Sequence, residues 1–341
     1  MSTTVPTSMR ALMLVERVQS FAQANLAACF EVQNVPVPVP QPHEVLVKVA
    51  ASPINPSNFS QLQGYYGNFG NMPLPQVTGV EGSGVVVAAG SDAHSSLVGK
   101  RVGTIVDPAG MWAEYVAVPA VSLIELPANA TFEDGASCFI NPLTAVAFVE
   151  IAIARKVKTI IHTAGASALG KMLVRHAKEF GVNVIAVVRR QEHVDTLCAE
   201  GADYIVNTSD DDWQKQLQKL ATELEATIGF DAVAGATSGA ILSAMPPKSE
   251  LFVYGALSGE AASGVSALDL IFQGKSLNGF WIEQYLANRG AGVAEMTAKV
   301  ANGLLTTFKT NVRVSYPLEE AAAALLDYAG NMSNDKVIFK P

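Results

Sequence analysis

The stretch from Thr159 to Gly181 admits few folds. An apolar, strand-length run, Thr159–Thr163 (TIIHT), passes through the turn Gly165-Ala166-Ser167-Ala168-Leu169-Gly170 straight into a helical pattern. Leu169, Met172, Leu173, Ala177 and Phe180 recur at helical spacing, and Gly181 stops the helix. Small residues at such a turn let the backbone approach a pyrophosphate, whose charge is favoured by the N–H groups that open the helix. The turn reads G-x-S-x-x-G, with serine where a dinucleotide site usually has its middle glycine, and the serine hydroxyl can itself donate to a phosphate. The alternative is a small-residue strand-to-helix turn that holds no ligand.

The following strand bears on which dinucleotide this would be. Asn183–Val188 (NVIAVV) ends in Arg189-Arg190, where an NAD site commonly places an acidic residue for the ribose 2′-hydroxyl. Two guanidiniums there suit the extra 2′-phosphate of NADPH through bidentate, charge-assisted hydrogen bonds. A solvated arginine pair is the competing possibility.

Further strands are expected at Asp203–Val206, Phe230–Ala234, Glu250–Tyr254 and Leu277–Ile282, with helical stretches between them. Strands alternating with helices imply an α/β class and a doubly wound parallel sheet with right-handed crossovers, here over residues 131–310. Up to about Ala128 the texture is different. Val-rich runs punctuated by Pro and Gly, such as TGVEGSGVVVAAGS and VGKRVGTIV, read as an all-β unit, and Pro36, Pro38, Pro40 and Pro42 suit an extended edge segment. Asn311–Tyr316 and Lys336–Phe339 are again strand-like, around an Ala-rich helix at Leu318–Ala329. The tail is therefore expected to complete the first domain, residues 1–130 joining 311–341.

Composition narrows the classes. With 341 residues, 49% hydrophobic and 16% charged, the chain suits two compact domains rather than disorder. A net charge of -8, with no basic cluster longer than Arg189-Arg190, argues against a nucleic-acid partner. Cys29, Cys138 and Cys198 form no CxxC pair, which excludes a disulfide framework and a tetrathiolate zinc site. The opening MSTTVPTSMR has no apolar leader, and no run approaches the ~18 apolar residues of a membrane span. The expectation is a cytoplasmic protein without a membrane partner, with Met1–Ser8 as a frayed lead-in.

Several chemistries are missing. Gly165-Ala166-Ser167 begins like a hydrolase nucleophile elbow, but Leu169 stands where the elbow needs a second glycine. None of the eight tyrosines is followed four residues later by lysine, so the acid pair of short-chain dehydrogenases is absent. The five histidines form no HExxH pair, and no metal site is legible.

A series of landmarks runs in order along nearly the whole chain: Ser52-Pro53-Ile54-Asn55-Pro56-Ser57, Gln63-Gly64-Tyr65-Tyr66-Gly67, Gly79-Val80-Glu81-Gly82, Asn141-Pro142-Leu143-Thr144-Ala145, the Gly165–Gly170 turn, Gly201-Ala202-Asp203, Tyr254-Gly255 and Lys336-Val337-Ile338. From about Met9 onward the chain resembles the medium-chain dehydrogenase/reductase superfamily. The resemblance implies a GroES-like β-rich catalytic domain and a Rossmann NADP-binding domain. Alcohol dehydrogenases of that superfamily place a Cys/His/Cys zinc set where this chain has Asn55, Val80 and Asn141, and their four-cysteine loop is missing here. The chain looks like the zinc-free branch of quinone oxidoreductases and enoyl-thioester reductases.

Gln63–Gly67 is similar to the Q-G-x-Y-G segment whose tyrosine is the proton donor in the enoyl reductases, with Tyr66 the aligned residue and Tyr65 the fallback. Gly279-Phe280-Trp281 is similar to a G-F-W strand near their pocket. Asn58 departs from the usual Asp, Thr78 from a Pro, and Ser167 from a Gly. The resemblance implies a cofactor site of Asn141, the Gly165–Gly170 turn, Arg189, Arg190, Tyr204, Tyr254, Gly255, Phe280, Trp281 and Lys336, and a catalytic set of Tyr66, Asn55 and Thr144.

The expected reaction is NADPH-dependent reduction of an enone or enoyl thioester. Hydride goes to the β-carbon and Tyr66 gives the α-carbon its proton; tyrosine, with an ordinary pKa near ~10, stays protonated at neutral pH and contributes ~10²–10⁴-fold when positioned. Asn55, Asn141 and Thr144 offer short polar groups to orient nicotinamide or polarise the carbonyl. Three alternatives stay open: quinone reduction without a tyrosine donor, a non-catalytic NADPH-binding sensor or structural protein, and Tyr66 as a lid aromatic in the Gly-rich GYYGNFGN loop. A homodimer is implied by the resemblance, through an edge strand near Leu277–Ile282.

Overall fold

Valines at alternate positions, interrupted by glycine and proline, build the first unit from short strands. The computed structural model describes residues 5–106, 110–332 and 335–341. Of the expected lead-in, residues 1–4 lie outside these, and Ser8 already opens β1 (Ser8–Leu14). Then come β2 (Phe30–Pro36), β3 (Glu44–Pro53), β4 (Gln76–Val77), β5 (Glu81–Ala89), β6 (Arg101–Ile105), β7 (Tyr115–Pro119) and β8 (Leu123–Glu125).

β2, β1 and β4 form one antiparallel sheet. β3, β5, β6 and β8 are neighbours in another, with β7 also paired to β3. Val45, Val47 and Val49 share a face of β3 and bury themselves with Val86, Val102, Val116 and Val118. Strands cross closely at Gly84, where a Cβ would lie 2.0 Å from the Lys48 carbonyl oxygen, so only glycine fits. Of the four prolines expected along an edge, only Pro36 lies in a strand, at the end of the edge strand β2; Pro38, Pro40 and Pro42 lie in the connection to β3.

The second unit holds β9 (Thr159–Thr163), β10 (Asn183–Val188), β11 (Tyr204–Asn207), β12 (Ile228–Asp231), β13 (Glu250–Val253) and β14 (Ser276–Gly279). All pair in parallel in the order β11-β10-β9-β12-β13-β14. The order reverses between β9 and β12, and a doubly wound sheet opens its binding crevice at the carboxyl ends of the strands at such a point. Helix Ala168–Glu179 buries Leu169, Met172, Leu173 and Ala177 of the expected stripe, whereas Phe180, also expected in it, is the C-cap residue and is 46% exposed.

An aromatic core lies under helix Ile140–Ala154. Phe148 stacks on Phe230 at 3.7 Å between centroids and meets Phe280 and Tyr254 edge-on at 5.0 and 5.1 Å. Such pairs contribute ~0.5–1.5 kcal/mol each beyond their buried area.

Strand ends differ from the sequence expectation by one residue at β11 and β13 and by three at β12 and β14. β12 stops at Asp231 rather than Ala234, because the Asp231 carboxylate bends back to accept the N–H groups of Val233 (2.8 Å) and Ala234 (3.3 Å) and so removes them from the sheet. β14 stops at Gly279 rather than Ile282: Phe280 turns into the aromatic core, and Trp281 is the N-cap of helix Ile282–Arg289.

The tail adds β15 (Val312–Tyr316), helix Ala321–Gly330 and β16 (Lys336–Phe339). β16 pairs antiparallel with β3, Ile338 opposite Pro53 and Phe339 opposite Ser52, so the chain end enters the first unit's sheet. Phe339 is fully buried edge-on to Trp112, with centroids 4.8 Å apart. Leu318, Ala324, Leu325 and Tyr328 share a core with Leu12, Leu14, Phe59 and Leu62. The chain divides into two compact units, Met1–Ile140 with Thr297–Pro341, and Asn141–Met296. The texture of the sequence alone places the divisions at 130 and 310.

Candidate active site

The strand-to-helix turn has a geometry that spacing alone does not show. Ala164 adopts the left-handed conformation (φ 51°), and Gly165 donates its N–H to the Val187 carbonyl at 3.1 Å. A Cβ on Gly165 would lie 2.8 Å from that of Ala186, and one on Gly170 would lie 2.0 Å from the Gly165 oxygen. The two glycines therefore let turn, strand and helix close on one another.

Ser167 is the N-cap, its Oγ accepting the Gly170 N–H at 3.1 Å. Capping uses a lone pair and leaves the hydroxyl hydrogen to donate, while the N–H groups of Ala168 and Leu169 have no main-chain acceptor. Ala166 is buried behind them. This set of donors at a helix start fits a pyrophosphate.

The two arginines after β10 are not equivalent. Arg190 is the N-cap residue of helix Gln191–Ala199 and bonds Glu192 at 3.0 Å. Arg189 is exposed and forms no ion pair among the described residues, so its guanidinium is the one available to an added phosphate. Tyr204 does not reach the crevice end of the sheet. It starts β11 opposite Ile185 and packs on the apolar core, while the carboxyl end of that strand is Asn207.

At the switch point two buried polar groups tie the strand ends together. The Thr163 hydroxyl donates to Asp231 Oδ1 at 2.7 Å and accepts the Ala232 N–H at 2.8 Å; Ser238 donates to Oδ2 at 2.6 Å. Tyr254 lies just past β13, its hydroxyl 2.7 Å from His162 Nε2, and burial pushes the phenol well above its usual range. His162 is fully buried and Nδ1 has no partner; burial lowers its pKa to about 3, so the ring is neutral. A Cβ on Gly255 would meet the Ala232 oxygen at 2.8 Å, which packs the loops after β12 and β13 together. Phe280 and Tyr254, expected at the cofactor, thus have side chains in the aromatic core, whereas Trp281 stays 40% exposed.

In the first unit the structure brings Asn55 and Lys336 together. Lys336 Nζ donates to Asn55 Oδ1 and, at 3.3 Å, to the Ile54 oxygen. Asn55 Nδ2 donates to Glu81 Oε1 at 2.7 Å, and Glu81 Oε2 accepts the N–H groups of Phe139 and Ile140 at 3.1 and 3.0 Å. Glu81, Asn55 and Lys336 are all 2% exposed or less. Burial raises the Glu81 pKa, and burial lowers that of Lys336 to about 8 against the opposing pull of Glu81. Asn55, expected in the catalytic set, is bound at both ends of its amide, and Lys336, expected at the cofactor, is a buried internal cation.

The residues that depart from the superfamily pattern also have partners. The Asn58 side chain accepts the Asn55 N–H at 2.7 Å, which a carboxylate would do as well, and Thr78 is buried beside the Leu12 oxygen.

Asn55 precedes helix Pro56–Gln63, which ends at Gly64 (φ 85°) and leads into the tyrosine segment. Tyr65 is 82% exposed; Tyr66 is half-buried at the start of the 3-10 turn Gly67–Asn71. Asn141 and Thr144 lie in the first turns of helix Ile140–Ala154, Thr144 buried. A recess of about 610 Å³ between β15 and the Phe132–Ala136 helix includes none of the predicted residues. Among the described residues no three His, Cys, Asp or Glu side chains are grouped to hold a metal, and no helix is long and apolar enough to cross a membrane.

Sequence reasoning did not single out Glu81, Asp231 or His162. Each carries a visible signal, a polar residue set among small and β-branched ones in a strand: G-V-E-G, G-F-D-A and I-I-H-T.

Comparison with known proteins matches residues 41–128 to the alcohol dehydrogenase GroES-like domain and residues 168–299 to the zinc-binding dehydrogenase family. The mitochondrial enoyl-[acyl-carrier-protein] reductase of Bos taurus is 30% identical over 270 residues, 76% of this chain and 70% of its own. That of Xenopus tropicalis is 28% identical over 306 residues, 86% of each. A Mesorhizobium loti structure, provisionally named an NADPH:quinone reductase, superposes with TM-score 0.88 at 32% identity, covering 99% of this chain and 100% of that one. The quinone oxidoreductase of Thermus thermophilus, also solved with NADPH, gives TM-score 0.78 at 25% identity, with 98% and 100% covered.

The neutral, buried His162 makes stability depend on pH in a definite direction. Its folded pKa of about 3 lies below the ordinary 6.5, so the unfolded chain binds the extra proton; the contribution is full above pH 6.5 and is lost as pH falls toward 3. His162→Gln, which keeps a partner for Tyr254, should lose roughly 2–3 kcal/mol less than the wild type between pH 7.5 and 4.5 in urea unfolding. Parallel losses in the two proteins would refute a buried neutral imidazole.

Proposed function

Because the chain belongs to the medium-chain dehydrogenase/reductase superfamily, we propose that it is an NADPH-dependent, zinc-independent reductase of activated C=C bonds, in an enone or an enoyl thioester. The observation that carries the proposal is the Ser167-capped turn between Gly165 and Gly170 with Arg189 exposed at the end of the adjacent strand. NADPH, when bound, supplies the hydride.

The chain's own residues bind and protonate. Ser167 Oγ–H and the N–H groups of Ala168 and Leu169 hold the pyrophosphate, and Arg189 holds the 2′-phosphate. Asn141 and Thr144 orient the reacting groups. When hydride has reached the β-carbon, the C=C electron pair moves toward the carbonyl oxygen, and the Tyr66 hydroxyl gives its proton to the α-carbon; the phenolate recovers a proton from solvent. Tyr66 is preferred to Tyr65 because it is half-buried, whereas Tyr65 spends its ring on solvent.

Zinc independence rests on donor chemistry. Val80 offers only a buried isopropyl group, and Asn55 is held by Lys336 and Glu81. Quinone reduction stays as a second reading, favoured by the 32% identity over nearly the whole chain to the Mesorhizobium loti protein. A homodimer formed across β14 is part of the same proposal: β14 is the edge of its sheet, and helix Ala267–Gln273 exposes Leu268, Ile271 and Phe272.

Tyr66→Phe should lower kcat on a crotonyl-type thioester by ~10²-fold, with NADPH affinity unchanged, in single-turnover assays. Unaltered turnover would remove Tyr66 as the donor. Arg189→Ala should weaken NADPH binding by ~10-fold or more in a fluorescence titration and leave NADH binding unchanged. Equal losses for both dinucleotides would remove the 2′-phosphate contact.

A further inference from the structure

We propose that Arg17 is the positioning residue of the tyrosine loop, an inference that rests on Tyr66 being the proton donor. Arg17 lies beyond the end of β1, on a segment pinned to the helix before the loop by Val18 N–H to the Leu62 oxygen at 3.1 Å. Its guanidinium donates to four main-chain carbonyls. Nη1 reaches Gln61 at 3.4 Å, and Nη2 reaches Phe69, Met72 and Gly70 at 2.9, 3.0 and 3.3 Å. One acceptor precedes Tyr66 and three follow it, so a single side chain gathers both limbs of the loop.

The guanidinium carbon also lies 5.3 Å from the centroid of the buried Phe69 ring, and a Cβ on Gly64 would come within 3.4 Å of Nε. The glycine that ends the helix thus leaves room for the arginine to pass. Half-buried, Arg17 meets no carboxylate among the described residues; carbonyl dipoles answer its charge, and burial lowers its pKa.

The loop's other main-chain bonds are short-range: Gly64 to Gln61, Tyr65 to Ser60, Phe69 to Tyr66 and Met72 to Phe69. Local bonds of this kind fix turns but not the placement of a loop on the body of the domain. Beside the Phe69 ring, buried in the first unit's core, Arg17 supplies a long-range hydrogen-bonded tie, reaching across 44 to 55 residues of sequence. Arginine suits this place better than lysine because its planar fork addresses several carbonyls at once. Acting through Tyr66, it sets the phenol's reach to the α-carbon without touching the substrate.

Four proteins test this: wild type, Arg17→Met, Arg17→Lys and Tyr66→Phe/Arg17→Met. Enoyl-thioester turnover, NADPH titration and amide hydrogen exchange are measured on each. Arg17→Met should lower kcat by ~10-fold or more, with KM and NADPH affinity within ~2-fold, and speed exchange at residues 65–72 by ~10-fold while β9–β14 stay protected. Arg17→Lys should fall between wild type and Arg17→Met, so a poorly folded methionine variant does not end the test.

In the Tyr66→Phe background, Arg17→Met should add no further loss of kcat. Unchanged exchange at 65–72, or a kcat loss that persists in full beside Tyr66→Phe, would overturn the positioning role. If Tyr66→Phe alone leaves turnover intact while Arg17→Met speeds exchange, the donor assignment fails and Arg17 is only a structural tie.

Discussion

A carboxylate taken out of water at Glu81 must be met by donors on every side, and much of the first unit is arranged to meet it. Asn55, the N–H groups of Phe139 and Ile140, and the nearby Lys336 ammonium come from separate stretches of chain. Removing one partner of such a buried set typically costs ~3–5 kcal/mol, because the remaining charge is stranded. The requirement also settles the Asn55 amide: ammonium demands its oxygen and carboxylate demands its nitrogen, so the group cannot turn over. Helix Pro56–Gln63 starts from that fixed point and delivers the tyrosine loop at its other end. Around Asn55 the chain thus holds a buried ammonium and a buried carboxylate, Lys336 and Glu81.

The second unit uses the same device. Asp231 is fully buried and accepts from Thr163, Ser238 and the main chain of Val233 and Ala234, which binds the ends of β9 and β12 at the point where the sheet order reverses. Each unit thus ties loops together with one desolvated acid: the donors to Glu81 lie 26 to 59 residues away, whereas Asp231 draws on its own neighbours up to Ser238 and, from a distance, on Thr163 alone. Rigidity of this kind suits hydride transfer, where the groups must be placed before the reaction begins.

What could be read from the sequence follows from the range of each interaction. The turn between Gly165 and Gly170 was legible because its steric demands involve residues next to one another, and the helix stripe from Leu169 onward because its period is local. The return of the tail was legible from strand texture at Lys336–Phe339, although its partner in β3 was not. The Lys336–Asn55 contact spans 281 residues, and nothing in either neighbourhood announces it. Strand ends at Asp231 and Gly279 were missed because a carboxylate bending onto its own amides and an aromatic turning into a core are tertiary events that β-propensity does not register. The difference between Arg189 and Arg190 depended on Glu192, two residues on, whose reach became visible only with the side chains in place.

Isotope transfer follows the reaction itself. NADPH carrying deuterium at the transferable position of its nicotinamide is given to the enzyme with a crotonyl-type thioester in ordinary water, and the product is read by mass spectrometry and proton NMR. An activated C=C reductase places one deuterium on the β-carbon and takes the α-hydrogen from solvent. Product without deuterium, or labelled cofactor that binds and is never consumed by thioester, enone or quinone, would contradict the account.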